Sequence, residues 1–126
     1  MTRVALGLFL IAHGLVHAGI YAMPQPKDKE GPFDPSYSWA LTGAHVADDS
    51  ARRLSLMMGL ITTGVFTLAG ISLLAGWAAW VPVAVLGAAT GLLLKGLYFK
   101  AWLIIGVLID IGILWTAATA WPPSSI

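Results

Sequence analysis

The chain has 126 residues, of which 58% are apolar and only 10% are charged, and its formal net charge is +1. Soluble domains carry about 25% charged residues, and a globular protein this small lacks the interior volume to bury so much apolar surface. The composition excludes an ordinary soluble domain, and the small net charge excludes a nucleic-acid-binding protein. There is no cysteine, which excludes disulfide bonds, thiolate metal sites and cysteine nucleophiles.

Four apolar runs follow one another along the sequence, at about residues 4–23, 54–76, 79–98 and 101–121. Each is close to the roughly 20 residues that a helix needs to cross a bilayer, where the backbone must satisfy its own hydrogen bonds. The sequence therefore predicts an all-α fold: a single transmembrane domain, residues 1–126, folded as an antiparallel four-helix bundle. The first run also has features of a secretory signal peptide, but it is longer than the usual apolar core, and we expect it to be retained.

Most of the charged residues lie in a polar segment, residues 24–53, between the first two predicted spans. Its prolines and glycines favour turns, and its length indicates a structured loop rather than a plain connection. Lysines and arginines concentrate on the membrane side that holds this loop. The positive-inside rule then places the loop in the cytoplasm and both termini outside.

Four basic residues lie near the predicted cytoplasmic edge of the bilayer: Arg52, Arg53, Lys95 and Lys100. Long basic side chains near helix ends often extend to the lipid headgroups, and we expect this of Lys95. Alternatively, the four residues together form a site for an anionic headgroup. In both cases the lipid bilayer is the main predicted partner.

Three ionisable residues lie deep inside the predicted spans: His13, His17 and Asp110. Such groups cost about 2.5–3.5 kcal/mol each in lipid, so they usually face the protein interior and often serve a function. At about 1.5 Å per residue, His13 and Asp110 both lie roughly 15 Å from the same membrane edge, near the midplane. His17 follows His13 by one turn on the same helix face.

The functional interpretation pairs His13 with Asp110, whose carboxylate would orient the imidazole and stabilise its protonated form. Thr63 and Thr90 lie at the same depth and would supply hydrogen bonds, and His17 would extend a proton relay inwards. In the structural interpretation, these residues only join the helices, at about 0.6 kcal/mol per contact. A threonine can bond its own helix backbone, whereas a carboxylate in lipid needs a partner.

A metal ion is a further alternative, because His13 and His17 can chelate one if a third ligand such as His45 joins them. Haem is disfavoured, since one helix cannot place two histidines on opposite faces of the iron. The glutamate of zinc-protease helices is missing, and no phosphate-binding, dinucleotide-binding or serine-hydrolase motif occurs.

Gly87 and Gly91 form a GxxxG pair in the third predicted span, which permits close helix approach. This face serves either the internal bundle or a homodimer. In the second case, two copies could assemble a pathway that one four-span chain is too small to enclose.

Two stretches of the sequence carry a resemblance to known proteins. The segment 12–19 reads AHGLVHAG, and FKAW at 99–102 is followed by GVLID, which ends at Asp110. Together they resemble small four-helix bacterial integral membrane proteins of unknown function, with an N-terminal HGLxH motif and an acidic or amide residue in the last helix. The resemblance implies four spans in a bacterial inner membrane and a role for His13, His17 and Asp110, and it brings no reaction with it.

Two classes of function fit these observations. The first is a non-enzymatic membrane protein that binds or conducts a small ligand or ion, a proton-coupled carrier being one version, or that supports a membrane complex. The second is a membrane-embedded enzyme or metal-dependent redox protein acting on a lipid or quinone-like substrate at the inner leaflet. A closed, dry interior favours a structural role, a polar path favours transport, and a pocket open to the leaflet favours the enzyme.

Overall fold

The computed structural model describes residues 1–22, 38–98 and 104–119. In this part of the chain there are five α-helices and no strand, which confirms the all-α prediction. The helices are α1 (Thr2–Ala22), α2 (Trp39–Gly43), α3 (Asp48–Leu74), α4 (Trp80–Leu97) and α5 (Ile104–Ala118).

Three of these helices, α1, α3 and α4, are long and apolar enough to cross a membrane. They overlap the first three predicted spans. Helix α5 is apolar but has 15 residues, and both ends of the predicted fourth span, 101–121, lie outside the described residues. Large apolar side chains such as Leu8, Ile61 and Leu93 are more than half exposed on the outer surface, which suits contact with lipid rather than water.

Helix α3 begins at Asp48, earlier than the predicted start near residue 54, so part of the polar loop is helical. Arg52 and Arg53 therefore lie in its first turns, and both side chains are exposed. Their contact with lipid headgroups stays a prediction. Lys100 lies outside the described residues.

Glycines allow α1 to pack closely along α3. A Cβ atom on Gly7 would lie 2.7 Å from Cγ of Leu74, and one on Gly14 would lie 2.8 Å from Cβ of Phe66. A Cβ atom on Gly70 would lie 2.6 Å from the carbonyl oxygen of Gly7. The two backbones come this close only because these positions have no side chain.

The GxxxG pair of α4 faces other helices of the same chain. A Cβ atom on Gly87 would lie 3.1 Å from Cδ1 of Phe66 in α3, and one on Gly91 would lie 2.7 Å from Oδ2 of Asp110 in α5. This face therefore serves the internal packing, the first of the two roles considered for it.

One end of the molecule, called the loop side below, is where α2, the start of α3 and the end of α4 meet. The hydroxyl of Tyr98 donates a hydrogen bond to the carbonyl oxygen of Ala51 there. Apolar residues beneath it form the loop-side cluster, which consists of Ala51, Leu94 and Tyr98 with Leu41, Met58 and Leu97 packed against them. A larger group, the far cluster, comprises Leu10, Phe66, Ala69, Leu73, Ala84, Ala88 and Ile113.

The close packing of α1 on α3 predicts that Gly70→Ala lowers the thermal unfolding midpoint in detergent. Its new Cβ atom would lie 2.6 Å from both the Gly7 carbonyl oxygen and Cγ1 of Ile11, so the helices would have to separate. Gly64→Ala on the same helix is the control, because a Cβ atom there meets nothing within 4 Å. Alanine favours a helix by about 1 kcal/mol over glycine, so this control should match or exceed the parent. Equal midpoints for the two variants would contradict the packing.

Candidate functional site

Four ionisable side chains from three helices meet inside the protein, and we call them the ionic cluster. They are His13 and His17 of α1, Lys95 of α4 and Asp110 of α5. All four are buried, with relative exposures of 7%, 1%, 3% and 0% in that order. The structure thus brings together the three residues that the sequence singles out, and it adds a lysine.

Asp110 binds a separate donor with each carboxylate oxygen. Nε2–H of His13 donates to Oδ1 over 2.8 Å, and Nζ of Lys95 donates to Oδ2 over 2.6 Å. Hydrogen bonds to an ionised group are roughly twice as strong as those between neutral groups. Both oxygens of the carboxylate are therefore satisfied although the group is fully buried.

His17 connects the lysine back to the first helix. Its Nδ1–H donates to the carbonyl oxygen of His13 over 2.9 Å, and its Nε2 lies 2.6 Å from Nζ of Lys95. A carbonyl oxygen can only accept, so the ring proton of His17 lies on Nδ1 and its Nε2 accepts from the lysine. The hydrogen bonds therefore run in series from His13 through Asp110 and Lys95 to His17, and return to the backbone of His13.

The charges of the ionic cluster balance when Lys95 is protonated, Asp110 is ionised and both imidazoles are neutral. Neutrality matters because an uncompensated buried charge is far costlier than a paired one. His17 and Lys95 cannot both be charged in this geometry, since a proton on Nε2 of His17 would face the ammonium at 2.6 Å. The single proton between Nζ of Lys95 and Nε2 of His17 can move from one nitrogen to the other. If both groups carry a proton there, the two side chains must separate.

Aromatic rings hold the two imidazoles in place. The ring of Phe66 meets His13 edge to face, with 4.9 Å between centroids, and stacks on His17 at 5.7 Å. The ring of Phe9 stacks parallel to His13 at 5.9 Å. Because Phe66 also belongs to the far cluster, apolar packing directly adjoins the ionic cluster on that side.

The prediction that Lys95 extends to the lipid headgroups is wrong. In a helix the Cα–Cβ bond tilts towards the N-terminus, so a lysine in the last turn of α4 points back into the bundle. Glycines leave room for it: a Cβ atom on Gly106 would lie 2.7 Å from Cε of Lys95, and one on Gly91 would lie 3.3 Å from Nζ. The glycine one turn before the lysine, with an acid in the next helix, is the sequence signal for this pairing.

The prediction that Thr63 and Thr90 support the histidine–aspartate pair is also wrong. Oγ1 of Thr63 donates to the carbonyl oxygen of Gly14 over 2.7 Å. Oγ1 of Thr90 lies 3.0 Å from the carbonyl oxygens of Leu86 and Gly87 in its own helix. Both threonines satisfy backbone groups, as the structural interpretation expects.

A metal ion is not favoured by the geometry. The ligand atoms of His13, His17 and Asp110 lie within 4.8 Å of one another, but Nζ of Lys95 lies 2.6 Å from both Nε2 of His17 and Oδ2 of Asp110, where an ion would sit. The protein's own ammonium thus supplies the positive charge. His45, the predicted third ligand, is not part of this group, and lies exposed in a turn with a φ of 62°.

No protein-family model matches the chain, and comparisons with curated proteins and with solved structures also give no match. The functional argument therefore depends on the chemistry of the site.

The shared carboxylate predicts strong coupling between Lys95 and Asp110. Asp110→Asn and Lys95→Met should each lower the free energy of unfolding in mixed micelles by about 3–5 kcal/mol, because each leaves the other residue's charge buried without an opposite charge. The double variant removes both charges and should recover much of that loss. Additive losses in the double variant would contradict the ion pair.

The glycine beside the carboxylate predicts a second effect. Gly91→Ala should lower the thermal unfolding midpoint, since its Cβ atom would lie 2.7 Å from Oδ2 of Asp110. Gly112→Ala in α5 is the matched control, because a Cβ atom there meets nothing within 4 Å. The penalty at Gly91 should shrink in a background that combines Lys95→Met with Asp110→Ala, because the carboxylate oxygen that the new Cβ atom would meet is then gone. An unchanged penalty would show that this contact is not the cause.

Proposed function

We propose that the protein is a proton-binding and proton-conducting membrane protein, and that the ionic cluster is its proton relay. The observation that carries this proposal is the series of hydrogen bonds that links the four buried side chains of the ionic cluster, each 2.6–2.9 Å long. Two imidazoles, an amine and a carboxylate can each bind and release a proton. Chains of this kind are the usual way in which proteins move protons through a membrane interior.

The proposal includes the membrane arrangement. The protein would cross a bacterial cytoplasmic membrane four times as an antiparallel bundle, with α5 and the apolar residues flanking it as the fourth span. Contacts between helices support this: along α1 and α3, Gly7 lies near Leu74 and Gly14 near Thr63. Along α4 and α5, Gly91 lies near Asp110 and Gly106 near Lys95. In both pairs the residue numbers of one helix decrease as those of its neighbour increase, so the two helices are antiparallel. The loop side would face the cytoplasm.

The relay would work by passing a proton along existing hydrogen bonds. A proton that binds Nδ1 of His13 converts the ring to an imidazolium, whose Nε2–H already points at Asp110. On the other oxygen of the carboxylate, Lys95 gives one proton to Nε2 of His17 and becomes a neutral amine. The amine then accepts the proton that passes from His13 through the carboxylate. One proton has entered at His13, one is held on His17, and Lys95 and Asp110 have regained their charges. The imidazolium and the ammonium cannot stay 2.6 Å apart, so His17 must move away from Lys95 as the amine regains its proton, and it then releases its own proton. His13 returns to the Nε2–H form before the next transfer.

Stabilisation alone is a weaker explanation of the ionic cluster. Replacing a buried ion pair by apolar residues is often neutral or stabilising, so charges are a poor means of joining helices. The threonines of the same bundle already join helices at little cost, as Thr63 does by bonding to Gly14. The far cluster and the loop-side cluster close the site at both ends in this conformation, so conduction requires one end to open.

The relay predicts that Asp110→Asn abolishes proton uptake into liposomes that enclose a pH-sensitive dye. When the outside is made more acidic than the inside, proton uptake by liposomes that hold the parent protein should exceed that by protein-free liposomes. Asp49→Asn, the same substitution at an exposed residue, is the control and should conduct like the parent.

The variant with both Lys95→Met and Asp110→Asn separates conduction from folding. It should regain stability and still fail to conduct. Conduction by Asp110→Asn at the rate of the parent, or no uptake by the parent above protein-free liposomes, would overturn the proposed function.

A further inference from the structure

The ionic cluster lies much nearer to one end of α4 than to the other. Lys95 is in the last turn of α4, which ends at Leu97 after beginning at Trp80. Between the lysine and the loop side lies the loop-side cluster, whose fully buried members among the described residues are Ala51, Leu94 and Tyr98. The far cluster on the other side is deeper, with seven buried residues that include Phe66 against the imidazoles. Among the residues that the structure describes, the shortest route from water to the lysine therefore starts at the loop side.

Two hydrogen bonds from the segment before α3 close this route, and we call them the clasp. Oγ of Ser38 donates to the carbonyl oxygen of Leu97 over 2.5 Å, and Nε1–H of Trp39 donates to the carbonyl oxygen of Gly96 over 2.6 Å. Both acceptors are in the last turn of α4, where carbonyl groups have no partner inside the helix. The clasp therefore caps the helix end that carries Lys95.

The clasp also holds part of the apolar cover in place. Leu41 of α2 packs against the loop-side cluster, two residues after Trp39. Helix α2 has only five residues, and a helix that short is not stable without its contacts. Release of the clasp would free α2, withdraw Leu41 and expose Leu94, the neighbour of Lys95. Water could then satisfy the carbonyl groups that the clasp leaves behind.

We infer that the clasp is a gate, and that the ionic cluster exchanges protons with water on the loop side when the clasp opens. This inference rests on the proposed function and gives it a direction of access. Trp39 is 62% exposed and lies at the surface, where a change in lipid or partner would act on the gate first. The far cluster keeps the opposite end closed while the loop side is open.

Thiol labelling tests the gate directly, because the sequence has no cysteine and a single introduced thiol reacts alone. Met58→Cys places the thiol against the loop-side cluster, and a charged, water-soluble thiol reagent reports whether water reaches it. Ser38→Ala with Trp39→Phe removes both donors and keeps an aromatic ring at 39. We expect this pair to raise the labelling rate in liposomes about tenfold, equivalent to about 1.4 kcal/mol less work to open the gate.

Two controls make the result specific. Thr119→Val removes a comparable hydrogen bond to a backbone carbonyl at the end of α5 and should leave the labelling rate unchanged. Val83→Cys places the thiol against the far cluster and should label slowly in every background. An unchanged rate at Met58→Cys, or an equal rise at Val83→Cys, would overturn the gate. Labelling does not depend on proton transfer, so this failure is distinct from a failure of Asp110→Asn to abolish proton uptake.

Discussion

The carboxylate of Asp110 determines how the helices of this protein can be arranged. Apolar helices gain little by associating in lipid, since lipid tails are as apolar as the helices themselves. Specific association then depends on groups that lipid cannot satisfy. Asp110 accepts from His13 of α1 and from Lys95 of α4, so one side chain of α5 defines the register of three helices. A shift of any helix by one residue would leave a charge buried without its partner.

Glycine positions make that arrangement sterically possible. Gly91 and Gly106 provide the volume that the lysine stem and the carboxylate occupy, and Gly14 lets α1 approach α3 closely enough for Phe66 to meet both imidazoles. The polar and the small residues are thus two parts of one constraint. The polar groups specify which helices must meet, and the missing side chains specify how closely they do so.

Much of the fold could be predicted from the sequence, because an apolar run near 20 residues long identifies a membrane helix without further information. The early start of α3 could not, because hydropathy reports contact with lipid, and the first turns of that helix are polar. At the site, depth counted along the chain found His13 and Asp110 but also selected Thr63 and Thr90. Depth along the chain does not specify towards which neighbouring helix a side chain points. It also gives the level of the Cα atom of Lys95, whereas the ammonium lies one helical turn deeper, beside Gly91.

The return of the hydrogen bonds to the backbone of His13 has a mechanical consequence. Both histidines belong to α1, so this helix holds the two ends of the hydrogen-bonded series as one rigid piece, while Lys95 and Asp110 belong to α4 and α5. When α1 rotates or slides against that pair, the bonds of His13 to Asp110 and of His17 to Lys95 stretch together. A packed interior of this kind has discrete arrangements rather than a continuum. The cluster therefore couples its two outer contacts into one all-or-none event, so that motion of a single helix makes or breaks the whole series of hydrogen bonds.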